Sequence, residues 1–312
     1  MNVLLTPLVL AAEYGRACLI LGLVVAIAFP GTAATIKPLL PEFVTALLFV
    51  AALRIGPRQA LGAARDIKAS AVYVFILQVV LPVSTTLLFY AFGLAGPLAS
   101  VILLMLAGSP ISGTPNLSIM CGADPAPALR QLVAGTALLP LTVIPVFWLA
   151  PGFGSGLEVL AAAGKLLALI GLAATIAFLI RGFWLKDPAL RVLKAIDGSS
   201  ALLMAVMVLG LMAAVGPALR DAPGELALNL AAAFAANLGL QVVSALILER
   251  SPLRDMTVPF AISSGNRNIA LFLTSLPLSV TDPLLLFIGC YQIPMYMTPL
   301  LLGRFYRGRL PS

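Results

Sequence analysis

The sequence predicts an all-α polytopic membrane protein: ten transmembrane helices in two inverted five-helix repeats, with helices 4 and 9 discontinuous and crossing near the midplane. Three observations carry that reading. The 312 residues are 61% hydrophobic and only 10% charged, with a mean hydropathy of +1.08, far from a soluble domain. The apolar residues form continuous runs of about 20, the length of a membrane-spanning helix, without the alternation of outer-membrane strands. Finally, one polar, helix-breaking cluster occurs twice. Ser112–Ile119 reads S-G-T-P-N-L-S-I and Ser264–Leu271 reads S-G-N-R-N-I-A-L, sharing Ser112/Ser264, Gly113/Gly265 and Asn116/Asn268.

In chain order the predicted spans are Gly15–Pro30, Pro38–Leu53, Ala69–Leu94, Pro97–Gly122, Gln131–Ala150, Leu157–Ile180, Ile196–Leu219, Glu225–Leu248, Met256–Leu276 and Pro283–Gly303. Residues 1–14 either extend the first span or lie as a short interfacial helix, because Pro7 allows both. The basic residues sort by flank. Fourteen follow the even-numbered spans: Arg54, Arg58, Arg65, Lys68, Arg130, Arg181, Lys186, Arg191, Lys194, Arg250, Arg254, Arg304, Arg307 and Arg309. Only Lys37 and Arg220 fall on the other side. By the positive-inside rule the richer flank is cytoplasmic, which puts both termini in the cytoplasm. The expected location is a bacterial inner membrane.

The two clusters fall in spans 4 and 9, each the fourth of five. An odd number of spans per group forces the second group to enter the membrane upside down, so the expected repeats are residues 1–152 and 153–312. Gly113 with Pro115, and Gly265 with Asn266, are poor helix-interior residues: proline costs about 3 kcal/mol and glycine about 1 kcal/mol against alanine. Opened backbone must be satisfied by protein or by a water-lined cavity. Broken helices in matching positions of two repeats point to the binding site of a secondary transporter. There Asn116, Asn268, Ser112, Thr114, Ser264 and Asn266 are candidates to cap the half-helices or to bind substrate.

Arg267 is the sharpest signal. A charge in mid-span costs about 2.5–3.5 kcal/mol on insertion scales and marks a pathway or a partner. No mid-span carboxylate is available to pair with it, since the acidic residues lie in loops or near span ends. A guanidinium beside two helix N-termini makes a positive pocket, so the expected ligand is a small organic anion, held as a carboxylate. Gln78, Asn237 and Gln241 are further candidates for lining the cavity or holding an ion, and Gln292 for the cavity alone, although interhelical hydrogen bonding is the commoner use of such residues.

Other function classes find little support. There is no histidine, and Cys18, Cys121 and Cys290 are far apart, so no metal site, disulfide framework or cofactor is expected. No paired mid-span acids or Cys–His set suggests an enzyme. The basic residues occupy short gaps between spans, which fits membrane orientation rather than nucleic acid. A channel would need a continuous polar stripe on several spans, which most lack.

The ten spans, the stretch S-P-I-S-G-T-P-N at Ser109–Asn116 and the stretch G-N-R-N-I-A-L at Gly265–Leu271 resemble the bile acid:sodium symporter family and the related bile acid, arsenite and auxin transporters. The resemblance implies a panel domain from helices 1, 2, 6 and 7, and a core domain from helices 3–5 and 8–10. It further implies alternating-access transport of organic anions, often with sodium. The chain departs from the family at the sodium ligands. Ser263 stands where the family has a glutamate, Arg267 where it has a glutamine, and Leu129–Gly135 lacks the hydroxyl residues of the fifth span. Two unit charges about 4 Å apart repel by about 4 kcal/mol at an effective dielectric of 20. Arg267 is therefore expected to replace a bound cation, leaving transport sodium-independent or weakly coupled. Export of arsenite or another oxyanion, with Cys121 as a thiol ligand, is the alternative within this superfamily.

Overall fold

The computed structural model describes residues 2–65, 67–150 and 152–310. It is helical throughout, with no strand among the described residues. The helices are α1 (Asn2–Glu13), α2 (Gly15–Ala28), α3 (Pro30–Ile36), α4 (Leu40–Arg65), α5 (Ile67–Phe75), α6 (Leu81–Ala91), α7 (Pro97–Ala107) and α8 (Thr114–Met120). They continue as α9 (Pro125–Leu149), α10 (Gly156–Phe183), α11 (Leu190–Leu211), α12 (Val215–Asp221), α13 (Pro223–Leu248), α14 (Thr257–Gly265), α15 (Leu278–Thr281) and α16 (Leu285–Arg307). Among the described residues seven helical stretches are long and apolar enough to cross a membrane, or eight if α1 and α2 are taken as one bent span.

The first span differs from its expected form. Residues Leu5–Glu13 and Ala17–Ala28 meet at 82°, so α1 does not extend α2 in line. The helix itself has 14 residues, about 21 Å at 1.5 Å per residue, and it stops at Phe29 before a new helix starts at Pro30. Elsewhere local chemistry moves the borders outward. Asp124 accepts a hydrogen bond from the Ala126 N–H at 3.0 Å, with Pro125 at the first helical position, so α9 begins six residues before Gln131. Ser155 and Glu158 form a capping box on α10. Span 2 runs on past Leu53, through a kink at Gly56 (φ 71°), to Arg65.

Exposed side chains carry the membrane signature. Leu157, Leu160, Leu167, Leu172, Ile176 and Leu179 make an exposed apolar stripe along α10, a face that water would not tolerate but lipid requires. Tyr14, Tyr90, Trp148 and Trp184 lie exposed near helix ends, as interfacial aromatics do. Partly and fully exposed ion pairs of this kind contribute at most about 1 kcal/mol, so their value here is topological. Arg54–Asp197, Arg58–Asp187, Lys194–Glu13 and Arg309–Glu249 join residues from the flank richer in basic residues. Lys37–Asp282 joins two from the opposite flank. The side chains of Arg65 and Lys68 lie outside the described residues.

α4 packs between α10 and α11, and α11 also packs on α1 and α2. α13 packs on α14 and α16, while α9 contacts α5, α8 and α14 and also α10 and α4. The buried centre, with Phe147, Phe272, Phe287, Tyr291, Leu211 and Met212, is continuous across these helices.

Candidate functional site

Two chain breaks meet in the middle of this packing. One lies between α7 and α8, the other between α14 and a 3₁₀ helix at Ile269–Thr274. They run antiparallel, with Pro110 opposite Arg267. The Ile111 N–H donates to Asn266 O at 3.0 Å and the Asn268 N–H donates to Ser109 O at 2.7 Å. The bonds thus come from the residues flanking the Pro110/Arg267 pair, so the N–H that proline lacks is not needed. Each break satisfies the other's backbone, which explains how it survives in an apolar interior.

This pairing changes the electrostatics expected from the sequence. The Asn268 N–H and the Thr114 N–H are both engaged, the latter with Ile111 O. The segments that resume are short, seven residues in α8 and six in the 3₁₀ turn. Free N–H groups and helix dipoles are therefore not what makes the place positive. That role falls to Arg267 alone.

Arg267 is 2% exposed. Its Nη2 donates to Leu77 O at 2.9 Å and to Leu106 O at 2.8 Å. Both carbonyls are available for a structural reason. Leu77 lies in a π-helical turn, Ile76–Val80, where the ordinary i→i−4 bonding is interrupted. Leu106 is in the last turn of α7, whose final carbonyls have no intrahelical donor. A cation at this point would be offered the same two oxygens. The backbone N–H of Arg267 donates to the Tyr291 hydroxyl at 3.3 Å, and that hydroxyl donates in turn to Gly265 O.

A cavity of about 220 Å³ opens against the breaks. α4, α10 and α11 supply an apolar wall that includes Leu47, Phe178 and Met204, and α9 and α16 supply the flanks. Of the residues singled out in the sequence, Arg267, Asn268, Ser112 and Gln292 line it. Thr136 and Tyr296 were missed and also line it. Thr136 lies one residue past Leu129–Gly135, and its hydroxyl donates to Ser109 Oγ at 3.3 Å.

The other candidates are not brought to the cavity, and each has a physical reason. Asn116 is exposed, in the first turn of α8. Thr114 donates to Ile111 O, Ser263 to Pro259 O and Ser264 to Ala261 O, so these hydroxyls serve the helix ends. Asn266 donates to Ile262 O and accepts from Asn237 and Thr298. Asn237 donates to Gly265 O at 2.5 Å, Gln241 donates to Asn237 Oδ1 at 2.8 Å, and Tyr306 donates to Gln241 Oε1 at 2.9 Å. Gln78 is completely buried, donating to Gly135 O and accepting from Thr142. Gln78 ties the π turn Ile76–Val80 to α9, and the other amides tie α13, α14 and α16 together around the second break. Pro115 is the second residue of α8, where a missing N–H does no harm. Cys121 is buried and is not part of the cavity lining, so nothing in this geometry favours a thiol ligand for arsenite.

Compared with protein-family models and with curated proteins, the chain matches none.

Proposed function

We propose that this protein is an alternating-access membrane transporter of small organic anions with an apolar body, working without a bound sodium ion. The observation that carries the reading is a buried arginine at the paired breaks, Arg267, among the residues that line a largely apolar cavity. An apolar wall with a few converging polar groups is the usual build of a small-molecule site. A fixed positive charge among them selects an acid group.

In this reading there are ten crossings: the seven long stretches, the bent pair α1 and α2, and two broken spans. The broken spans are α7 with α8, and α14 with Ile269–Thr274. Residues 1–152 and 153–312 are the inverted repeats. α4 packs on α10 and α11 while α13 packs on α14 and α16, and α9 touches both groups; in this reading the first group is the panel and the second the core, moving against each other across the cavity. The basic flank faces the cytoplasm and carries both termini. Sodium independence follows from Arg267 holding Leu77 O and Leu106 O, and from Ser263 standing without a carboxylate and bonded within its own helix.

The test is a thermal-shift screen of the purified protein against carboxylates, sulfonates and organic cations, each in sodium and in choline buffer. Uptake of the best stabilising anion into vesicles follows. Saturable stabilisation by anions, equal in both buffers, is the expected result. Stabilisation by cations alone, or a strict sodium requirement, contradicts the proposal.

A further inference from the structure

Two polar atoms of cavity-lining residues have no hydrogen-bond partner among the described residues: Arg267 Nε and Gln292 Oε1. One is a donor and the other an acceptor, on side chains of residues that are 2% and 5% exposed. The amide of Gln292 has only one sensible orientation. Its Nε2 donates to Ile288 O at 3.0 Å, and turning it over would set two acceptors against each other. The other buried amides around the breaks behave differently. Gln78, Asn237, Gln241 and Asn266 each use both ends within the protein. Gln292 leaves its oxygen unmatched, and it is the one of these five that lines the cavity. Its neighbour Tyr291 bonds to the backbone of Arg267 and Gly265, which holds this level of α16 beside the second break.

We infer that Gln292 is a specificity-determining residue: its carbonyl oxygen accepts a hydrogen bond from a neutral donor, a hydroxyl or amide N–H, carried by the anionic substrate. The inference rests on the anion-transport reading and narrows its substrate class. An anion without such a donor satisfies Arg267 but leaves a buried acceptor desolvated, and a site built to pair with a donor discriminates against the analogue lacking it.

The test uses octanoate, its 2-, 3- and 8-hydroxy derivatives, and N-hexanoylglycine, whose amide supplies an N–H. Affinities for the full-length protein in detergent are measured by calorimetry. At least one donor-bearing compound is expected to bind about 10-fold or more tightly than octanoate. That ratio is expected to fall to about 1 in Gln292→Met and in Gln292→Leu, which keep the bulk and remove the acceptor. The wild-type ratio is informative even where a variant fails to fold. Octanoate binding as tightly as every donor-bearing compound overturns the inference and leaves the anion reading standing. So does a preference that survives in both variants. If none of these anions binds, the anion reading falls and takes the inference with it.

Discussion

The two breaks carry nearly the same letters and do different work. In the first, Gly113 leads straight into α8, Asn116 falls inside that helix, and its side chain is exposed. In the second, Asn266 to Asn268 stay extended and Asn268 reaches the cavity, while Arg267 reaches back to carbonyls of the π turn and of α7. The first break is mainly a backbone partner, and the second holds the charge. A repeated motif thus marks where a chain opens without saying which copy bears the chemistry.

Removing the charge should produce the largest effect. Arg267→Ala leaves Leu77 O and Leu106 O buried without a donor, at about 1–3 kcal/mol for each orphaned group. A loss of about 2–5 kcal/mol, read as a lower thermal midpoint in detergent, is the expected outcome. Removing the hydroxyl of Ser112 in the first break should cost far less. Equal losses from Ser112→Ala and Arg267→Ala would erase the asymmetry.

The two motif glycines sharpen the contrast next. A Cβ on Gly265 would lie 2.2 Å from Asn237 O and 2.5 Å from Gln241 Cγ, whereas on Gly113 its nearest neighbour is Ile111 Cδ1 at 3.5 Å. Gly265→Ala should therefore destabilise by about 1–3 kcal/mol through overpacking against α13. Gly113→Ala should be neutral, or stabilise by about 0.5–1 kcal/mol through the unfolded chain. Paired thermal melts of the two variants check this.

The asparagines give the smallest expected difference, and it appears in binding rather than stability. Asn268→Ala should weaken a bound carboxylate about tenfold, or about 1.4 kcal/mol. Asn116→Ala should change affinity by less than about twofold, since its side chain is exposed away from the cavity lining. Calorimetric titration of both variants with one anion measures the two effects side by side.

Much of this was legible in the letters. Glycine, proline and asparagine inside apolar runs located both breaks, and a lone arginine in such a run announced itself by its cost. The ion pairs agree with the flanks assigned from lysine and arginine. What could not be read was the partnering. Leu77 and Leu106 look like any leucines, and their carbonyls become ligands only because a π turn and a helix end free them. Asn116 and Asn268 occupy matching positions, yet one chain resumes as an α-helix and the other as a tighter 3₁₀ turn. Gln292 resembles Gln241 in sequence, and only three-dimensional packing shows which of them has an unpaired carbonyl oxygen. The site was also expected to draw positive character from helix N-termini, but the Asn268 N–H is taken by the other break, at Ser109 O, and the Ile269 and Thr114 N–H groups by carbonyls of their own breaks.

The central claim is that Arg267 does the work of a cation and anchors an acid group at the paired breaks. The most direct measurement is octanoate affinity in sodium-free choline buffer and in sodium buffer, for the wild type and for Arg267→Gln. The account expects equal wild-type affinity in the two buffers and loss of binding in the variant. Wild-type binding that requires sodium, or full-strength binding by Arg267→Gln without it, would contradict the account.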